Sequence, residues 1–224
     1  MIAYPFSAAS AALTNSANWC DILILHLNIK YCRGSGNPDV RLEVRVGRKY
    51  DQPVADASLL SFTWRAVEVT PEYLDVEMDA PSGPYGTRDY RILVEAVPLE
   101  GGRTFIHMAY AFGYGGLAQV GLSTYLGTMG RDKVGFSTTG PAVDGKPAYV
   151  GGTRGLVERN TMRYYMAIDA YLAAMSLPPT AQLERRLETW FAATEKYPTQ
   201  LHEVDKPEYL TMKRNEVRRQ QASP

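Results

Sequence analysis

Cysteine and histidine are scarce in this 224-residue chain, and charge of either sign is in no surplus: 24 lysines and arginines stand against 24 aspartates and glutamates. Each shortage excludes something. Two cysteines, Cys20 and Cys32, are too few for a metal cage or a disulfide-built scaffold. They read either as two buried thiols or as one disulfide in an exported protein. The three histidines, His26, His107 and His202, show no ligand spacing, so neither a metal nor another cofactor is expected. Balanced charge supplies no basic field to hold a phosphate backbone, which argues against a nucleic-acid partner. Long apolar runs are missing too: residues 22–25 run for four where a bilayer-spanning helix needs about 20. No integral membrane segment is expected. The opening "MIAYPFSAASAAL" lacks the basic start and continuous apolar stretch of a signal peptide, so a soluble protein is expected, cytoplasmic or periplasmic.

What is present is apolar and aromatic. At 45% hydrophobic and 11% aromatic, the chain can bury a sizeable core in one domain or one domain with an appendage. In "VRLEVRVG", Val40, Leu42, Val44 and Val46 share one face against Arg41, Glu43 and Arg45, the period-2 pattern of a half-buried antiparallel strand. Leu60, Phe62 and Trp64 repeat it, then Leu74, Val76 and Met78, so residues 60–79 read as a hairpin with one wet face. "RDYRILVEAVP" and "RTFIHMAYAFGYG" form a second hairpin across a glycine turn, with Tyr110, Phe112 and Tyr114 on one face of its second strand. Residues 8–27 begin as a small-residue helix with Ser16 or Asn18 as an N-cap, and run into a strand at "LNIKYC". From Leu117 the spacing turns helical, and residues 131–155, with six glycines and two prolines, form a connection too long for a routine loop. Pro178 and Pro179 stop the helix that follows, Thr180 caps the next, and a locally basic, solvent-facing helix ends the chain.

The stretch "GGTRGLVERNTMRYYMAIDAYL" is the sharpest feature. It feeds a glycine loop into a helix whose first turns carry Glu158, Arg159 and Arg163, although a helix start carries partial positive charge and disfavours cations. Helical spacing stacks Arg159 and Arg163 one turn apart above Ala167, Ala170 and Ala174. Small residues allow close packing, so that face is expected to be covered and the guanidinium groups to need acceptors. Acids projecting from the sheet, such as Glu77, Asp89 or Glu95, are one source of acceptors. The carboxylate or phosphate head of a bound amphiphile is the other.

The order of elements, a short helix, five or six antiparallel strands and C-terminal helices, resembles the START-like helix-grip superfamily, and "GGTRGLVERNTMRYY" resembles an uncharacterised bacterial protein family. The first resemblance implies an α+β fold in which a curved antiparallel sheet packs against C-terminal helices and encloses an apolar cavity. It implies a ligand-binding domain over residues 1–176, with 177–224 as a helical extension split by prolines. It further implies non-catalytic binding of an apolar or amphipathic, lipid-like small molecule. The residues expected to line the site are Arg159, Arg163 and Glu158 at the polar end and Tyr110, Phe112, Tyr114, Tyr164 and Trp64 along the wall. No catalytic residue is assigned. An enzyme using His107, Glu95 or Glu158 in that cavity is one alternative. A helical interaction protein docking a partner through Trp190, Phe191 and Tyr197 is the other. No G-x-S-x-G, G-x-G-x-x-G or P-loop order occurs, which disfavours common hydrolase and nucleotide chemistry.

Overall fold

The strand segments between residues 29 and 113 build a six-stranded antiparallel sheet whose strands lie in chain order, β1 to β6. They are β1 Ile29–Ser35, β2 Val40–Val46, β3 Ser58–Val69, β4 Leu74–Ser82, β5 Arg88–Leu99 and β6 Arg103–Gly113. The computed structural model describes residues 1–36, 40–116, 120, 131–140 and 147–222. In the β5–β6 hairpin Gly101 and Gly102 take φ of +74° and +67°, a region open to glycine at little cost. Register then puts whole rows on one face: Trp64 lies opposite Met78, Met78 opposite Ile92, and Ile92 opposite Tyr110. Leu42, Val44, Phe62, Val76, Met78, Ile92 and Val94 on this inner face are buried, while Arg65, Arg91 and His107 on the other face meet solvent. The fold is therefore α+β, with an antiparallel sheet and helices after it.

Two short helices, α1 Phe6–Leu13 and α2 Ser16–Leu23, precede the sheet where one was expected. Asn15 is the N-cap of α2, accepting the Ala17 amide at 3.1 Å; Asn18 instead donates to the Ala12 carbonyl and Ser16 is the first helical residue. Cys20 on α2 is disulfide-bonded to Cys32 on β1, with Cα atoms 5.2 Å apart, so the thiol alternative is excluded.

After the sheet come α3 Gly152–Ala174, α4 Pro179–Thr194, α5 Pro198–Leu201 and α6 Lys206–Ala222. Pro179 occupies the first turn of α4, where its missing N–H is no loss, so Thr180 is not the cap. The expectation of a solvent-facing last helix is overturned: α6 buries Tyr209, Met212, Lys213 and Glu216 against the start of β1. A charged helical face tells nothing about whether its charges meet water or each other. Leu187, Trp190, Leu201 and Tyr209, from the stretch read as an extension, belong to the same buried cluster as Leu23, Leu25 and Val94. The helix expected from Leu117 lies outside the described residues, Val120 excepted.

Candidate functional site

Arg159 and Arg163 are buried, 1% and 2% exposed, so the small-residue face of α3 is covered as its spacing implied. The acceptors they have among the described residues lie before α3 and at and after the end of α5, not on the three sheet acids expected. Arg159 donates to the Val134 carbonyl at 3.1 Å, and Arg163 to Glu203 at 2.8 Å and the Leu201 carbonyl at 3.4 Å. Glu77 and Glu95 are unreachable because strand alternation turns them to the outer face, where Glu77 pairs with Arg65 and Glu95 with His107. Asp89 pairs with its neighbour Arg88. Glu203 also takes Lys49 at 2.7 Å and Lys133 at 3.2 Å. Burial raises its carboxyl, and the three cations more than offset this, leaving its pKa below the usual value.

Glu158 holds the chain before α3. Its carboxylate accepts the Phe136 and Ser137 amides at 2.7 and 2.9 Å and Arg154 Nε at 3.1 Å. Burial pushes that carboxyl up and these donors bring it below its usual value. Gly155 makes the seat possible, since a Cβ there would stand 2.8 Å from the Val150 carbonyl oxygen and 3.0 Å from the Gly135 nitrogen. The last glycine of "GGTRG" thus lets a loop lie directly on the helix. The three charged residues expected at a ligand's polar end all have acceptors or donors within the protein.

The aromatic residues do come together. On the inner face Tyr90 lies 6.3 Å from Tyr110 and 5.5 Å from Phe112, Tyr110 lies 5.8 Å from Phe112 and 6.1 Å from Tyr164 of α3, and Phe112 lies 5.8 Å from Tyr114. Trp64 shares the cross-strand row of Tyr110 but stands three strands away, about 14 Å at strand spacing. Its indole Nε1 is buried without a hydrogen-bond partner among the described residues. Burial pushes the phenols of Tyr110 and Tyr164 well above the usual value of 10, yet both rings and Phe112 stay partly open to solvent. The Tyr110–Phe112–Tyr164 group thus stands half-buried where β6 faces α3.

Sequence reasoning passed over His26, which lies between α2 and β1. It is 3% exposed and stacks on Tyr164 with ring centroids 4.9 Å apart. Its Nδ1 accepts the Asn28 amide at 3.1 Å, while Nε2 has no hydrogen-bond partner of good geometry among the described residues. One signal was available: a histidine inside the apolar run "ILILHL" has to be buried, and a buried polar group needs an account. Burial first, then the charges of Arg163 and Lys213, hold its pKa well below 6.5 against the opposing side-chain hydrogen bond of Asn160, and Lys49 adds a lesser lowering. The unfolded chain thus takes up a proton near pH 6.5 that the folded chain refuses, so stability is full above that pH and falls below it. The loss can reach about 1.4 kcal/mol per pH unit until the folded ring itself protonates. Urea unfolding at pH 7 and pH 5 should show this fall, and His26→Phe should remove its share; a profile flat over that range in both proteins would contradict it.

The residues of the alternative readings are placed elsewhere. His107 contacts Glu95 at 2.8 Å on the outer face, and Glu95 also accepts the Tyr73 hydroxyl, so the pair opens to solvent and not to the inner face. Trp190 is 1% exposed, donates to the Arg163 carbonyl at 3.0 Å and stacks on Tyr209, which makes it core; Tyr197 is exposed. Among the described residues no group of three His, Cys, Asp or Glu is placed to hold a metal ion, and no helix is long and apolar enough to cross a membrane. No protein family, curated protein or solved structure matches the chain.

Proposed function

We propose that this protein binds an apolar or amphipathic, lipid-like small molecule in a recess between the inner face of the sheet and α3, on a fold of the helix-grip kind, and that binding rather than catalysis is its activity. The observation that carries this is the pair Tyr110 and Tyr164. A dry core would pair its phenol hydroxyls with acceptors, as Tyr209 does with the Leu25 carbonyl at 3.0 Å. Tyr110 and Tyr164 instead keep accessible surface among apolar neighbours, Ile92, Met108 and Phe112. Aromatic walls with a few polar groups are what small-molecule sites are made of. The enzymatic alternative has less behind it, since His107 and Glu95 face the other way and Glu158 is spent on the 136–137 backbone.

The neutral fluorophore N-phenyl-1-naphthylamine tests the reading. Its emission should rise on addition of the protein, and Phe112→Asp, which sets a charge in the recess, should weaken binding by tenfold or more while far-UV circular dichroism stays unchanged. No enhancement with the unmodified protein, or equal affinity in the folded variant, would refute it.

A further inference from the structure

We infer that this protein forms a symmetric dimer in which the open edge of β6 pairs antiparallel with the same edge of a second copy, about a two-fold axis at Ala109, so that the two sheets run on as one. The inference goes beyond the binding reading and does not depend on it, since it rests on the edge of the sheet and on its outer face.

The sheet has two edges. At β1 the last helix closes one of them: the Cys32 amide donates to Gln220 of α6 at 2.8 Å, and Lys213 donates to the Ile29 carbonyl at 2.9 Å. At β6, Ile2 exchanges both backbone bonds with Thr104, at 2.9 and 3.2 Å, and among the described residues the pairing stops there. Those bonds also fix the phase. Thr104 turns its amide and carbonyl away from β5, and strand alternation gives Ile106, Met108, Tyr110 and Phe112 the same direction. No described residue bonds to the backbone of these four on that side. Edge strands are guarded against other chains by charge, proline or bulges. Here residues 104–116 contain no lysine, arginine, aspartate, glutamate or proline, and the register against β5 is unbroken from Arg103 to Ala111.

The strand that fits this edge is its own copy. Residues 105–113 are centred on Ala109, and antiparallel self-pairing about that residue sets Ile106 opposite Phe112 and Met108 opposite Tyr110, with their outward amides and carbonyls bonded. On the outer face it sets His107 opposite Ala111 and Phe105, 45% exposed, opposite Gly113, where the ring covers backbone that a glycine leaves bare. Alanine stands on the axis itself, a position without hydrogen bonds where facing Cα atoms come within about 4.5 Å and larger side chains would crowd each other. Charge agrees with shape. Asp75 and Glu95 lie in the row of His107, and Arg91, which Asp79 holds at 3.6 Å, lies in the row of Ala111. The acidic row of each copy therefore runs into Arg91 of the other, twice by symmetry.

Sedimentation velocity on the full chain should show a dimer, and Ala109→Lys, which sets two like charges opposite each other on the axis, should leave a monomer with unchanged far-UV circular dichroism. Cysteine substitution reads the register, because Cys20 and Cys32 are bonded to each other and leave no other thiol. Under mild oxidation Ala109→Cys should join two chains covalently. His107→Cys should not, since its counterpart lies about 14 Å away along the partner strand, beyond the reach of a disulfide. A monomer at every concentration would overturn the inference, as would a dimer that survives Ala109→Lys or crosslinking of His107→Cys in preference to Ala109→Cys. Should Ala109→Lys fail to fold, the two cysteine variants decide alone.

Discussion

Glu216→Gln is expected to cost about 3 to 5 kcal/mol of stability, the usual loss when one partner is removed from a buried ion pair. Lys30, Lys213 and Glu216 are each 0% exposed, and the carboxylate bridges both ammonium groups, at 2.8 Å to Lys30 and 2.7 Å to Lys213. Lys213 further donates to the His26 and Ile29 carbonyls at 2.6 and 2.9 Å, and Lys30 to the Leu27 carbonyl at 2.9 Å. The turn before β1 and the last helix are thus joined through charge. Burial lowers the Lys213 pKa to about 8 against the opposing pull of Glu216, so removing the carboxylate removes what sustains its charge. Urea unfolding followed by circular dichroism reads the loss. The triple change Lys30→Met, Lys213→Met and Glu216→Leu should recover most of it, because an apolar set of similar volume carries no desolvation cost. A loss under about 1 kcal/mol for Glu216→Gln would show that water reaches the three groups.

Removal of the disulfide, by Cys20→Ala with Cys32→Ala, should cost about 3 kcal/mol, the chain-entropy value for a loop of this size. The bond closes residues 20–32, and that loop holds the His26, Leu27 and Ile29 carbonyls that receive the two lysines. Cys32 also donates its amide to Gln220 of α6 at 2.8 Å. The disulfide and the buried triad therefore secure the same joint from two sides. Combined with Glu216→Gln, the cysteine changes should cost less than the two losses added, since each loosens the turn the other depends on. Strict additivity would mean that the loop holds its shape without the bond.

How far the sequence disclosed this structure depends on how local each cause is. Strand alternation is local, so Val44, Phe62, Val76 and Ile92 could be assigned to one face before any coordinates, and they are buried there. The same alternation already put Glu77 and Glu95 on the opposite face and could have ruled them out as partners for α3. The covered face of Arg159 and Arg163 was also legible, because five alanine and arginine positions at helical spacing are a short-range pattern. Their acceptors were not, since Glu203 lies 40 residues beyond Arg163 and reaches it through α5 and the turn after it. Lys30 and Glu216, 186 residues apart, are further still from sequence reasoning, and the basic appearance of α6 pointed to water. In the candidate site, Tyr110, Phe112, Tyr114 and Tyr164 meet as a group, Trp64 shares only their row, and His26 was missed because a lone histidine has no periodicity to betray it.

The binding reading makes one demand that a label on the recess wall can meet. The chain has eight methionines, and Met108 lies on the inner face of β6, two residues before Tyr110 and half-buried, whereas Met1 and Met175 are exposed and Met212 is a buried residue of α6. With methionine methyl groups ¹³C-labelled, titration with N-phenyl-1-naphthylamine should move the Met108 resonance in a saturable way and leave Met1, Met175 and Met212 in place. A Met108 signal unmoved at saturating probe, or shifts confined to Met1 and Met175, would contradict a ligand site between the sheet and α3.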